Sequence, residues 1–204
     1  MEEQLAIPIK IIMVGSLNVG KTSLVTKYAT GKMPGQTKST KNDLYVAKLR
    51  NINDNIFELK LWDTAGLERF KSLTKIFAKE SKIAILVYSI DSEKSFNDLD
   101  YWLNIIKEAN DNEVILGIAA NKSDLKSDST ISESKGREYA KKIGAEWKST
   151  SAILENGGIE EFIETLFLKY YSTIFIPYCK LNDSLSNITL STLNSRAKKR
   201  RCCK

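Results

Sequence analysis

Gly15-Ser16-Leu17-Asn18-Val19-Gly20-Lys21-Thr22 fits the pattern G-x-x-x-x-G-K-[ST]. The stretch joins an apolar, β-branched run, Ile7–Val14, to a run with helical spacing, Lys21–Gly31. A strand, a glycine-bearing turn and a helix in that order are the context that gives the pattern its chemical meaning; without it an ordinary tight turn would serve as well. Glycines let the backbone wrap closely enough for its N–H groups to face phosphate oxygens. Lys21 neutralises β- and γ-phosphate charge, and Thr22 offers a hydroxyl to Mg²⁺.

Working outward, helical patterns alternate with short β-branched runs from residue 7 to about 170, as βαβ units around a parallel sheet would. Leu44–Arg50 and Ile56–Asp63 read as an antiparallel hairpin across the Asn/Asp-rich turn Asn51–Asn55. Ile83–Ile90 and Val114–Ala120 hardly alternate, so they read as central strands covered on both faces. The covering helices include Ser95–Glu108, Ser132–Ile143 and Ile159–Tyr170, and Trp147–Thr150 is the last strand. Beyond Pro177, Leu181–Ser195 is rich in Ser, Asn, Thr and Asp and lacks aromatics, which reads as a flexible linker.

Charge separates the body from the tail. The 204 residues carry 31 Lys and Arg against 25 Asp and Glu, a net +6. Six of those bases, Arg196, Lys198, Lys199, Arg200, Arg201 and Lys204, fall in the last nine residues, which leaves the rest with 25 of each sign. A neutral body with a basic tail speaks against a nucleic-acid-binding face. Taken alone, the basic run reads as a solvated tail or a nuclear localisation signal. The chain has no histidine, which excludes Ser-His-Asp and Cys-His catalysis and His-ligated metals. Its cysteines, Cys179, Cys202 and Cys203, suit a reducing compartment, and no run approaches 18 apolar residues.

Two further motifs follow in order. Trp62-Asp63-Thr64-Ala65-Gly66 ends the third strand, with Asp63 near a magnesium shell and the Gly66 amide near a γ-phosphate. Asn121-Lys122-Ser123-Asp124 ends the fifth, where a carboxylate can accept two hydrogen bonds from guanine N1 and N2, a pairing adenine cannot offer. With all three motifs at these spacings, residues 7–175 resemble the Ras superfamily of small GTPases and, within it, the Rab branch. Leu59–Gly66, Glu68–Thr74, Leu86-Val87-Tyr88 and Thr150-Ser151-Ala152 carry the likeness.

The resemblance implies a P-loop NTPase G domain over residues 1–176. Its α/β architecture is a mostly parallel six-stranded sheet with one antiparallel edge strand and helices on both faces. A hypervariable tail, residues 177–204, follows. Implied for GTP and GDP are Gly15, Asn18, Val19, Gly20, Lys21, Thr22, Ser23, Thr40, Asp63, Gly66, Asn121, Lys122, Asp124, Ser151 and Ala152. Thr22 and Thr40 would hold Mg²⁺ directly and Asp63 through its shell, while Lys21, Thr40 and Gly66 serve hydrolysis. Thr40, nineteen residues after Lys21, matches the family's first switch threonine, ordered by the third phosphate and released on hydrolysis. Cys202 and Cys203 resemble the Rab double-cysteine ending, implying two geranylgeranyl groups that act with Lys198–Arg201 to anchor the chain to an anionic leaflet. The expected station is the cytoplasmic face of an endomembrane, cycling with cytosol. Expected partners are an exchange factor, a TBC-type activating protein, a GDP-dissociation inhibitor and effectors, with no nucleic acid.

Several residues depart from the family pattern. Leu67 replaces the glutamine that orients the attacking water, which implies slow intrinsic hydrolysis, and Leu17 adds bulk to the phosphate loop. Met33 replaces an aromatic ring against guanine and Ile153 replaces a lysine, both expected to speed nucleotide exchange. Thr40–Tyr45 departs from the usual apolar stretch. Tyr45, Trp62 and Phe77 match an effector-facing aromatic triad, with partial core burial as the alternative. Two functions remain on this reading: a GTP-hydrolysing trafficking switch of Rab type, and a GTP-locked membrane adaptor that no longer turns over.

Overall fold

The computed structural model describes residues 5–32, 45–64, 71–111, 113–125 and 131–181. Six strands, β1 (Ile7–Val14), β2 (Tyr45–Ile52), β3 (Asn55–Asp63), β4 (Ile83–Ser89), β5 (Ile115–Asn121) and β6 (Glu146–Ser149), form one sheet in the order β2-β3-β1-β4-β5-β6. Every pairing is parallel except β2 with β3. The helices are α1 (Lys21–Thr30), α2 (Lys71–Ala78), α3 (Glu93–Asn97), α4 (Leu99–Ala109), α5 (Glu133–Ile143) and α6 (Ile159–Tyr170). This is the α/β architecture expected, with its single antiparallel strand at the β2 edge. The hairpin turns through Asn53 and Asp54 at φ 45° and 64°, the positive values a two-residue hairpin turn requires and that Asn and Asp tolerate.

Strand periodicity assigns the two faces. Ile12 and Val14 of β1, Ala84, Leu86 and Tyr88 of β4, and Ile118 and Ala120 of β5 share a buried cluster with Leu99, Trp102, Leu103 and Ile106 of α4. Their neighbours in each strand, among them Ile11, Met13, Ile85 and Gly117, point to the opposite face and are covered there. On that second face a Cβ built at Gly117 would lie 2.7 Å from Leu166 Cδ1 and 2.9 Å from Phe162 Cζ, so α6 sits directly on the β5 backbone. The edge strand β2 is clamped to α6 by Lys48–Glu160 at 2.9 Å and Arg50–Glu164 at 2.8 Å. Lys48 Nζ also lies 4.2 Å from the ring centroid of buried Tyr28 on α1, where burial pushes the phenol up to about 12.

Three differences from the sequence reading have local causes. Ser95–Glu108, read as one helix, is divided between α3 and α4 at Asp98, whose ψ of −6° flattens the turn although its amide still donates to the Lys94 carbonyl at 3.0 Å. The amphipathic α2, with Leu73, Ile76 and Phe77 at helical spacing, had no counterpart in the expected elements. The expected tail from residue 177 begins with helix, which continues to Leu181. The chain divides into two compact units, Met1–Leu166 and Phe167–Lys204. In the second, Ser172 and Thr173 hydroxyls donate to the Lys169 carbonyl at 3.1 and 2.6 Å, and the backbone widens into a π-helical turn, Tyr171–Phe175. Among the described residues no helix is long and apolar enough to cross a membrane.

Gly117→Ala is expected to lower unfolding free energy by about 1–3 kcal/mol in urea denaturation through overpacking against Leu166 and Phe162. Tyr28 yields a pH dependence: its folded pKa lies above the ordinary 10.0, so its contribution is intact below pH 10 and is lost as pH rises to about 12, where the unfolded chain ionises first. Tyr28→Phe should remove that component of the alkaline stability loss in denaturation curves taken across this range.

Candidate nucleotide-binding site

All parallel strands deliver their C-terminal ends to one edge of the sheet, and the loops there meet. The first loop leaves β1 at Gly15, packed so tightly against β4 that an added Cβ would lie 2.3 Å from the Val87 carbonyl oxygen. Asn18 adopts φ 64°, and Gly20, at φ 93°, delivers the chain to α1. Lys21, the first residue of α1, is 5% exposed, and its ammonium donates to the carbonyls of Gly15 at 2.9 Å and Ser16 at 3.0 Å. The lysine thus stands inside the loop's own arch with its charge held at the centre. Leu17 at the tip is 50% exposed, Thr22 is exposed and Ser23 half-buried.

Asp63 ends β3 opposite Met13 of β1, which brings it beside the start of the first loop. The next residue, Thr64, is buried and donates to the Met13 carbonyl at 2.6 Å, pinning that exit. Thr40, Gly66 and Leu67, together with Met33, lie outside the described residues, as do Cys202 and Cys203.

Asn121, at the end of β5, is 1% exposed. Its amide nitrogen donates to the Val19 carbonyl at 2.7 Å, and its amide oxygen accepts from the Thr150 hydroxyl at 3.3 Å. It therefore braces the phosphate loop against the last loop. The sequence reading grouped it with base-contacting residues and could not see this brace, because its partners lie 102 and 29 residues away. Gly20 belongs to the same joint, since a Cβ there would lie 2.4 Å from Asn121 Nδ2.

Lys122 turns the chain at φ 63°, with its ammonium 3.7 Å from Asp91 Oδ2. Asp124 Oδ1 accepts from the Ser151 hydroxyl at 2.5 Å, and that hydroxyl accepts from the amides of Ile153 and Leu154 at 3.1 and 3.2 Å. Ser123 N donates to the Thr150 carbonyl at 3.0 Å. Asp124, Ser151 and Ala152 are thus held as one rim, with Ala152 buried and Ile153 56% exposed beyond it. Thr150 is a further structural member of this rim that sequence spacing alone did not single out for its side chain.

The aromatic residues form a continuous tier away from these loops. Tyr45 and Trp62 have centroids 4.9 Å apart, and Trp62 and Phe77 6.0 Å. Trp62 is flanked by Lys10 Nζ at 5.0 Å from its centroid, and its indole nitrogen is buried without a hydrogen-bond partner. Tyr45 remains partly exposed while Phe77 packs on the core, so the tier joins surface to interior.

A Ras family sequence model matches residues 10–172. The chain is 37% identical over 161 residues to Ras-related protein Rab-21 of Geodia cydonium, covering 79% of this chain and 70% of that protein. It is 37% identical to human Ras-related protein Rab-21 over 80% of this chain and 72% of the other. Ras-related protein Rab2BV of Beta vulgaris is 28% identical over 95% and 92%. The chain belongs to the Ras family as a Rab-type small GTPase. Members of this family are GTPases.

Asn121→Ala leaves the Val19 carbonyl buried without its donor and is expected to cost about 1–3 kcal/mol in urea denaturation. Gly20→Ala should cost at least as much, since it adds an unfavourable φ to the collision with Asn121. Unchanged denaturation midpoints in both variants would show that the joint carries no stability.

Proposed function

We propose that the protein is a guanine-nucleotide switch in vesicle-mediated membrane trafficking that binds GTP and GDP with Mg²⁺ and hydrolyses GTP slowly. The observation that carries this reading is the single braced unit in which Asn121 ties the Lys21 arch to the Asp124–Ser151 rim. Phosphate and base sites held in one frame suit a ligand that spans both. Gly15, Asn18, Val19, Gly20, Lys21 and Ser23 line the phosphate end, and Lys122, Asp124, Ser151 and Ala152 the base end. A carboxylate in the Asp124 position selects guanine by accepting from its N1 and N2 groups.

The oxygen donors Thr22, Thr40 and Asp63 suit a hard divalent cation, and the buried Lys21 ammonium fits the anionic phosphates beside it. Thr22 and Thr40 would hold Mg²⁺ directly and Asp63 through its shell, and the ion would supply positive charge against the phosphates. On this reading Lys21 holds the phosphates, Thr40 and Gly66 serve hydrolysis, and Leu67 replaces the side-chain amide that would orient water. Met33 in place of an aromatic ring and Ile153 in place of a lysine favour faster nucleotide exchange. The tail adds prenylation of Cys202 and Cys203 beside Lys198–Arg201, giving an anchor on the cytoplasmic face of an endomembrane. An exchange factor, a TBC-type activating protein, a GDP-dissociation inhibitor and effectors complete the cycle, with the Tyr45–Trp62–Phe77 tier as the effector-facing surface.

The exposed Leu17 at the loop tip, together with Leu67, favours a second reading: a GTP-locked adaptor whose shut-off lies elsewhere. Single-turnover hydrolysis of preloaded GTP at saturating Mg²⁺ separates the two. The unmodified chain is expected to hydrolyse about 10²–10³-fold more slowly than Leu67→Gln. Stimulation of the unmodified chain by a catalytic TBC domain would identify a working switch. Inertness with and without that domain, while Leu67→Gln turns over, would identify the adaptor. Equal intrinsic rates for the two chains would overturn the role given to Leu67.

A further inference from the structure

The corner between α3 and α4 uses its aspartate in an unusual way. An aspartate at the start of a helix ordinarily turns its carboxylate onto the helix's own first amides. Asp98 starts α4 and makes no such cap. Its Oδ2 instead accepts from the Ser16 hydroxyl at 2.7 Å, across 82 residues of sequence. One turn further, Trp102 is 4% exposed and its indole nitrogen donates to the same Ser16 oxygen at 3.4 Å. That indole is held by the apolar cluster under α4 and by the edge-on ring of Tyr101 at 5.0 Å. Ser16 is thus gripped from a rigid element, while its own backbone carbonyl accepts from Lys21 Nζ at 3.0 Å.

We propose that Asp98 is a positioning residue for Lys21, acting through Ser16 with Trp102 as a second support, so that the corner of α3 and α4 sets the lysine's place against the nucleotide phosphates. The inference rests on the reading of this loop as a GTP and GDP site. Ser16 lies in irregular backbone between Gly15 and Leu17, where no ladder of hydrogen bonds fixes its peptide plane. A hydroxyl-to-carboxylate bond is charge-assisted and stronger than a neutral one, so it can hold that plane. Rotation of the Ser16 peptide would move one of the two carbonyls that Lys21 leans on. The lysine would then reach the phosphates from a different angle.

The test uses the full chain loaded with a fluorescent GDP analogue, its release followed after addition of excess GDP at saturating Mg²⁺. Ser16→Ala and Asp98→Ala are each expected to speed release about tenfold, the scale of one lost hydrogen bond to a charged group. The double variant should be no faster than Ser16→Ala, because Ser16→Ala already removes the bond that Asp98→Ala removes. Asp98→Asn keeps an acceptor oxygen but loses the charge assistance, and its release should fall between the unmodified rate and that of Asp98→Ala. In equilibrium titrations on a Lys21→Ala background, Asp98→Ala should weaken binding no further, whereas an independent structural role would add its full effect. Ser16→Ala reads the same bond from a half-exposed loop position if Asp98→Ala fails to fold. Unchanged release in Ser16→Ala, release as fast in Asp98→Asn as in Asp98→Ala, or additivity with Lys21→Ala would overturn the inference alone. Failure of the unmodified chain to bind guanine nucleotide would overturn the functional reading and this inference with it, before any variant is compared.

Discussion

The amide of Asn121, buried at the end of β5, holds the Val19 carbonyl with one atom and the Thr150 hydroxyl with the other. Loops that leave three different strands are thereby held in one frame. A buried amide can do this because it is donor and acceptor at fixed separation, and because the apolar surroundings make an unmade bond expensive. Gly20 completes the joint by leaving room for the amide where any side chain would collide. The arch around Lys21 and the rim around Asp124 are positioned by this contact more than by their own local geometry.

Behind the joint, the parallel sheet does the coarse positioning. Central strands β4 and β5 are buried on both faces, and the periodicity of two divides their side chains between α3, α4 and α5 on one side and, at Gly117, α6 on the other. Because β1, β3, β4 and β5 run parallel, the strand ends carrying Gly15, Asp63, Ser89 and Asn121 emerge at the same edge. The Asn53–Asp54 turn reverses β2 onto β3 and spends the single antiparallel pairing at the far edge, where Lys48 and Arg50 meet acids of α6.

The corner of α3 and α4 shows a residue serving two levels of structure. Asp98 interrupts a segment whose composition is compatible with one continuous helix, and its carboxylate reaches the phosphate loop. The same α4 meets α2 at its other end, where Lys75 pairs with Glu108 and Asn110 donates to the Ala78 carbonyl. One rigid helix thus touches both the loop that holds Lys21 and the helix that follows Leu67 in sequence.

The sequence by itself determined the fold class and where in the chain the three loop motifs fall. G-x-x-x-x-G-K-[ST] between a strand and a helix, and the motifs at Asp63 and Asn121, are short-range signals, since the residues that matter are neighbours in the chain. Strand and helix periodicity are legible for the same reason, which is why strand Ile7–Val14 and helix Ile159–Tyr170 have the bounds in the structure that they have in the sequence. What only the tertiary structure decided are contacts between residues distant in sequence: the brace from Asn121 to Val19, the hold of Thr150, and the diversion of Asp98 from its own helix to Ser16. No local pattern encodes them, because an aspartate before a helix and an asparagine after a strand have good local roles available. Burial and the approach of a second element decide which role each one takes.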